Sequence, residues 1–596
     1  MCGIAGILTP QADADDHRRV AAMQHALRHR GPDDGGMWQS ASRQATFGHT
    51  RLAILDLSAA GHQPMSAGRW TITFNGEIYN FKELRRTLEQ RGLDLRSQTD
   101  TEVILRAYQA CGDTCVDHLR GMFAFAIWDE QERTCLLARD RFGIKPLYYH
   151  VRNGRLLFAS EVRALLASGA VPRDLDGEAL YGYFRAGSVP DPRTLLSAVR
   201  SLDAAHAMTW RAGDIRTRKY WDLSFAPPDP APAAALTRMA LLDSVRHHFV
   251  SDVPVGVFLS GGIDSTCLVT LAKAAGIRDL HTFTMSVPGS PDDEGDRARR
   301  TAEYFGTCHA ECRVDGAGGQ QLFGRFLQAM DQPSIDGLNT FAVSSFAHDR
   351  GMKVMLSGLG ADELFGGYKS FRDVPRLARW SGRLAAARPL RRGVMRVLAR
   401  SGDPRHRRLA DMVDQPPGVA GAYAAYRGIF TRDEARMLAG RYAGNGAQFD
   451  DEHGSLPADP TPEDSVSRLE LSRYVRNQLL RDGDVMSMAF GLELRTPFLD
   501  AGLVDAVSRV PAAQRLAAGK QLLLQAVPDL PDGIAYGPKR CFQFPFQDWL
   551  RGEWQETFSS VDRTCPVRTG TWYRKWCVFV LEHWLERVNN GVRAWT

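Results

Sequence analysis

A cysteine stands second in the chain, within Met1-Cys-Gly-Ile-Ala-Gly6. Removal of Met1 would leave Cys2 holding both a thiol and an α-amine, whose pKa is ordinarily about 7.7–8. Such an amine can take the thiol proton, so this one residue supplies nucleophile and base without a histidine. A second stretch with chemical potential is Leu259-Ser-Gly-Gly-Ile-Asp264-Ser265, which follows an apolar strand-like run from Val255 and opens a helix-like one. In that setting Gly261 and Gly262 let the backbone approach a phosphate group. Ser260, Ser265 and the helix N-terminal amides can then hydrogen-bond it. The Gly-Lys-Ser/Thr ending of a Walker loop is missing. A third stretch lies at another strand end, Leu356-Ser-Gly-Leu-Gly-Ala-Asp362-Glu363-Leu-Phe-Gly-Gly-Tyr368.

These residues need two different scaffolds. The first half consists of short runs rich in aromatic and β-branched residues, such as Trp70 to Phe74, Gly121 to Trp128, Cys135 to Arg139 and Leu156 to Ala159. They are broken by Gly, Asn and Asp, which reads as sheets, with helices over Lys82 to Arg91 and Glu102 to Cys111. A proline-dense stretch, Ala226-Pro-Pro-Asp-Pro-Ala-Pro232, cannot sit inside a helix or central strand and marks a linker. Beyond it, strands at Val255 to Ser260, Leu280 to Val287 and Lys353 to Leu356 alternate with helices at Asp264 to Ala275 and Asp293 to Phe305, the pattern of a parallel sheet. From about residue 375 the chain reads as mostly helical. The expected division is a 1–215 domain, a 216–235 linker and a 236–596 domain.

Composition narrows the function classes. At 596 residues the chain is too long for one hydrophobic core. A net charge of +5 over that length is too dilute for a nucleic-acid surface, and the Arg-rich stretch from Arg376 to Arg408 reads as solvated helix faces. No apolar run reaches the roughly 18–20 residues of a membrane span, and the N-terminus shows no basic region followed by an apolar one, so nothing suggests secretion. A cytoplasmic location and reduced thiols follow for the ten cysteines. Cys111 with Cys115, and Cys308 with Cys312, lack the second half of a zinc site and read as packing.

Seven segments in order resemble the class II, N-terminal-nucleophile glutamine amidotransferases as they occur in glutamine-hydrolysing asparagine synthetase. They are Met1 to Gly6, His29-Arg-Gly-Pro-Asp33, Arg51-Leu-Ala-Ile-Leu-Asp56, Gly61-His-Gln-Pro64, Phe74-Asn-Gly-Glu-Ile-Tyr-Asn80, Thr99-Asp-Thr-Glu102 and Arg139 to Tyr148. The resemblance implies an α+β first domain of stacked antiparallel sheets in an αββα arrangement like that of Ntn hydrolases. It implies Cys2 as nucleophile, with Asn75 (side chain) and Gly76 (backbone) as oxyanion donors. Arg51 would bind the glutamine carboxylate, and Asp100 with Glu77 the α-ammonium. Asn75-Gly76 also suits a hairpin turn. Gly61 to Pro64 and Arg139 to Tyr148 read as shaping the pocket and the domain interface.

The second half looks like an ATP-pyrophosphatase-type α/β domain with a mostly helical tail. By the family pattern Leu259, Ser260, Gly261, Gly262, Asp264, Ser265, Ser357 and Gly358 would surround ATP, and Asp264 with Asp362 would hold Mg²⁺. Glu363 would contact the acceptor and move a proton. Arg481, in Leu480 to Met488, would stabilise phosphate or acceptor carboxylate. Glu493 to Asp500 also resembles the family. Lys539, in Pro538-Lys-Arg540, would stabilise charge on the adenylate or the tetrahedral intermediate. Two departures bear on the acceptor: Leu359 stands where the best-known asparagine synthetases have an acidic residue, and Cys541 to Phe546 looks more like their paralogues.

The resemblance therefore implies glutamine hydrolysis at Cys2, adenylation of the aspartate side-chain carboxylate, and amide formation with release of AMP and pyrophosphate. The alternative is a paralogue amidating a different carboxylate, such as a sugar acid or a biosynthetic intermediate. Intact Cys2, Asn75, Asp264, Ser265, Asp362 and Glu363 argue against a dead scaffold, and Cys2 against a ring-closing relative that needs no ammonia. A homodimer is usual for the family, and an enclosed apolar passage for ammonia is expected between the two sites.

Overall fold

The computed structural model describes residues 2–225, 232–290, 293–443, 449, 457–531, 533 and 544–590. The first half holds two six-stranded antiparallel sheets. One runs, in spatial order, Arg200–Ser201, Tyr148–Arg152, Arg155–Ala159, Gly3–Leu8, Ala45–Arg51 and Asp34–Gln39. The other runs Asp214–Lys219, His206–Arg211, Thr134–Arg139, Gly121–Asp129, Trp70–Ile78 and Met65–Ala67.

Side-chain alternation stacks these sheets into four layers. Ile4 and Leu8 of the first strand point with Phe47 and Phe158 at Ala124, Ala126 and Trp128 of the other sheet, forming the central core. Ala5 and Ile7 point the opposite way, onto Val20 and Met23 of the helix Asp16–Ala26. On the far face of the second sheet, Phe74 and Phe125 pack on Val103 and Ile104 of the helix Asp100–Cys111. That is the αββα arrangement the sequence implied.

The second half is built on five parallel strands in the order Cys308–Arg313, His281–Ser286, Val255–Phe258, Val354–Leu356 and Glu493–Arg495. The two glycine-rich loops leave the carboxyl ends of two adjacent central strands, where parallel sheets bind their ligands. Helices then dominate from Ser370 to Asn590.

Of the two readings of Asn75-Gly76, the hairpin turn is excluded: the pair lies inside the strand Trp70–Ile78, with Gly76 opposite Phe123. The sheet continues past residue 215, because a turn with positive φ at Ala212 and Gly213 pairs Asp214–Lys219 with His206–Arg211. The next helix begins at Ala233, before residue 235. Positions 226–231 of the proline-dense stretch lie outside the described residues. The strand Glu493–Arg495 interrupts the helical tail and closes the parallel sheet; three residues are too few to show a sequence period.

Candidate active site

Cys2 sits at the start of a buried strand and is itself buried. Its carbonyl accepts from Arg30 Nε at 3.1 Å, and the next two amides donate to Thr50 Oγ1 (3.1 Å) and Ser160 Oγ (3.0 Å). Its own backbone nitrogen donates to Asn75 Oδ1 at 3.0 Å. That contact fixes which way the amide faces: Asn75 Nδ2 is buried without a hydrogen-bond partner. An unpaired buried N–H costs about 1–3 kcal/mol, and here it lies beside the nucleophile. Gly76 follows with φ +150°, and a β-carbon there would lie 2.0 Å from Met122 O, so only glycine allows the strands this close. Burial pushes the Cys2 thiol above its ordinary value, partly offset by the nearby N-terminal charge.

Arg51 is buried and donates to Ser58 O (3.0 Å), Leu55 O (3.3 Å) and Asp56 O (2.5 Å). A β-carbon on Gly61 would lie 1.8 Å from its Nη2, so only glycine lets the chain pass this close to the guanidinium. Asp100 Oδ2 accepts from Ile78 N at 2.9 Å, and burial pushes its carboxyl up to about 7. Burial also raises Glu77, with Glu493 adding to the effect. Glu77 Oε1 lies 3.4 Å from Arg495 Nη2 of the second half.

In the second half Leu259 contributes only backbone: its N donates to Phe283 O at 2.8 Å while its side chain is in the core. Ser260 and Ser265 hydroxyls meet at 3.1 Å, and Ser260 N lies 3.2 Å from Ser265 Oγ. Gly261, at φ +67°, would drive a β-carbon to 2.6 Å from Arg297 Cγ. Ser357 N donates to Arg495 O at 2.9 Å, and a β-carbon on Gly358 would lie 3.0 Å from Asp264 Cβ.

Lys520 joins the two loops. Its Nζ lies 2.6 Å from Asp362 Oδ1 and 2.5 Å from Asp264 Oδ2, and it also contacts Asp264 Oδ1. Burial alone would lower this ammonium's pKa; Asp264 and Asp362 override it and raise it. Two carboxylates that face one another are a donor set that would suit Mg²⁺ shared with phosphate oxygens. Lys520 has φ +57°, an unusual conformation for a non-glycine residue. Sequence reading passed over it; a buried lysine between remote aspartates leaves no local pattern.

Glu363 is buried next to this pair. Tyr368 Oη donates to its Oε1 at 2.9 Å, and Ser467 Oγ to its carbonyl at 2.9 Å. Burial, with Asp362 and Glu470 adding, pushes its carboxyl up to about 8, a suitable value for proton transfer near neutrality. Arg481 Nη2 pairs at 3.0 Å with Asp191 of the first half, leaving Nη1 without a hydrogen-bond partner. Lys539 lies outside the described residues.

The halves are clamped by charge. Fully buried Arg30, whose Nε holds the Cys2 carbonyl, reaches Glu161 Oε1 at 2.8 Å and Asp484 Oδ2 of the second half at 2.8 Å. Lys145 Nζ lies 3.4 Å from the other oxygen of Asp484. Just inside that contact is a void of about 10 Å³, its wall including Ile144, Leu359, Leu480 and Leu494.

Residues 236–586 match the asparagine synthase family. This chain belongs to that family. Residues 1–221 of this family member match the glutamine amidotransferase domain. Similar proteins include asparagine synthetase [glutamine-hydrolyzing] 1 of Bacillus subtilis, 32% identical over 100% of this chain and 95% of the relative. A putative asparagine synthetase [glutamine-hydrolyzing] of Mycobacterium bovis is 34% identical over 100% and 96%. Amidase chry2 of Gibberella zeae is 27% identical over 94% and 91%. With both domains in one chain, this member of the asparagine synthase family is an ATP-dependent ligase that uses glutamine. Among its described residues no helix is long and apolar enough to cross a membrane.

Proposed function

We propose that Cys2 hydrolyses glutamine and that the ammonia amidates a carboxylate first activated as an acyl-adenylate. The observation that carries the first reaction is Asn75, held by its Oδ1 on Cys2 N with its Nδ2 buried, unpartnered and beside the thiol. When the thiolate adds to the glutamine amide, the new oxyanion takes that N–H and the Gly76 amide. Ammonia leaves, and water cleaves the γ-glutamyl thioester to glutamate. Arg51 would turn from the loop carbonyls to the substrate carboxylate, which offers a bidentate fit. Asp100 and Glu77 would take its ammonium.

In the second reaction an acceptor carboxylate oxygen attacks the α-phosphorus of ATP, the bond to the β-phosphate oxygen breaks, and pyrophosphate leaves. Ammonia then adds to the acyl carbon, AMP departs, and the nitrogen loses a proton, for which Glu363 is the placed base. Ser260, Gly261, Gly262, Ser265, Ser357 and Gly358 would cradle the nucleotide, with Lys520 moving from the aspartates toward phosphate. Mg²⁺ would be held by Asp264 and Asp362 and would neutralise phosphate charge. Lys539 and Arg481 are assigned to the intermediates' charge by family resemblance. The 10 Å³ void behind Leu359 admits about one water-sized molecule and suits a step on the ammonia route.

Aspartate is the acceptor that the printed names of the relatives support, giving asparagine. A paralogous acceptor is the second reading. It is favoured by Leu359, which is partly buried against Met355 and Leu494 rather than presenting a charge. Purified protein with glutamine, aspartate, ATP and Mg²⁺ should yield glutamate, asparagine, AMP and pyrophosphate in equal amounts. A Cys2→Ala variant should keep the ammonium-driven reaction alone. Glutamate without AMP or asparagine would remove aspartate as acceptor.

A further inference from the structure

A cavity of about 1540 Å³ lies one aromatic layer away from the candidate acceptor base Glu363. Pockets for drug-sized ligands run to about 300–1,000 Å³, so this space exceeds what any free amino acid needs. Its connection to the chemistry is short. Tyr474 in its wall has its ring 6.1 Å from that of Tyr368, whose hydroxyl holds Glu363. Arg427, also in the wall, lies over both rings, at 4.7 and 3.9 Å. Tyr474 lies on an eleven-residue π-helix, Glu470–Leu480, an arrangement frequent at functional sites.

The lining combines two chemistries. Three of its four carboxylates are answered by arginines, Asp191 by Arg139 and Arg481, Glu178 by Arg193, and Asp373 by Arg372, while the fourth, Asp336, accepts from Gly337 N and is pushed up by burial. Lys369, Arg376, Arg405 and Arg473 line the same space, and none has a carboxylate partner among the described residues. Arg473 is half-buried, and the loss of solvent around it lowers its pKa. Flat aromatic surfaces share the lining with these cations, notably Trp380, Tyr426, Phe546 and Trp572.

We propose that the acceptor is a carboxylic acid larger than an amino acid, bearing a second anionic group such as phosphate or sulfonate on an apolar or aromatic body. This rests on the second acceptor reading above, a carboxylate other than aspartate, and names its substrate class. The reacting carboxylate sits near Glu363, the body lies along the aromatic wall, and the second anion meets Arg473 and the cationic rim. Free aspartate leaves both walls untouched.

The test uses full-length protein and O-phosphotyrosine as a probe of that chemistry. Titration followed by tryptophan fluorescence should give saturable quenching at least tenfold tighter than with aspartate or tyrosine. Arg473→Gln should weaken it about tenfold at unchanged melting temperature. If that variant does not fold, Lys369→Gln with Arg376→Gln on the exposed rim should weaken it in the same direction. A panel of bulky dianionic acids should then release AMP and pyrophosphate with kcat/KM above that of aspartate, and Arg473→Gln should raise KM more than it lowers kcat. The proposal is overturned if aspartate turns over with the highest kcat/KM, or if the titration ignores the arginines. If no acid gives AMP, even with ammonium, while phosphotyrosine still binds, amidation itself fails and the cavity is an anion site of another kind.

Discussion

Asn75 carries two tasks with one amide: its oxygen orients the backbone nitrogen of Cys2, and its nitrogen faces the place where charge develops. Replacing it with alanine removes one oxyanion donor, and such losses cost about 10²–10³ in kcat. Asn75→Ala should lower glutamine hydrolysis by that factor with little change in KM, and leave ammonium-driven amidation intact. Asp100 predicts a pH dependence. Its carboxyl is held up to about 7 by burial, and glutamine's ammonium binds only the ionised form. Affinity is thus fully present above that value and declines as pH falls through it, by about tenfold per unit. A KM–pH profile should show this bend, and Asp100→Asn should flatten it while raising KM at high pH.

At the scale of loops and strands, the second site depends on close approach rather than on any one catalytic group. A β-carbon on Gly367 would lie 1.7 Å from Asp362 Oδ1 and 2.5 Å from Lys520 Cε. Gly367→Ala must therefore displace the aspartate or the lysine, and a misplacement of about 1 Å can cost 10²-fold. AMP and pyrophosphate release should fall by about that factor while glutamine hydrolysis persists. What the sequence made legible follows the same division. Loops at strand ends, the strand–helix alternation of the second half and the glycines under close contact all leave local signals. The pairing of Lys520 with Asp264 and Asp362 spans remote segments and leaves none. Asn75-Gly76 carries a local turn signal as well, and only the remote strand Gly121–Asp129 decides that the pair is held extended. The short strand Glu493–Arg495 forms because Leu356 and its neighbours offer an open edge, not because of its own three residues.

Across the whole molecule, the two reactions meet at Asp484. Its carboxylate answers Arg30, which grips the Cys2 carbonyl, and Lys145, from the loop that follows the strand Thr134–Arg139. Burial alone would lower the arginine's pKa; Asp484 and Glu161 reverse that, whereas Lys145 stays below its ordinary value despite the same neighbour. Removing the Asp484 charge leaves Arg30 with Glu161 alone and pushes Lys145 further toward its neutral form. Breaking one partner of a buried pair costs about 3–5 kcal/mol, and this cost falls on the interface between the sites. Asp484→Asn should therefore loosen the clamp beside the small void at Leu359 and let ammonia escape. Each half keeps its own catalytic residues, so glutamine hydrolysis and ammonium-driven AMP formation should both survive in part. The ratio of glutamate formed to AMP formed should rise well above parity in the glutamine-driven reaction. A ratio that stays at parity would mean that this charge cluster holds the halves together without guarding the passage between them.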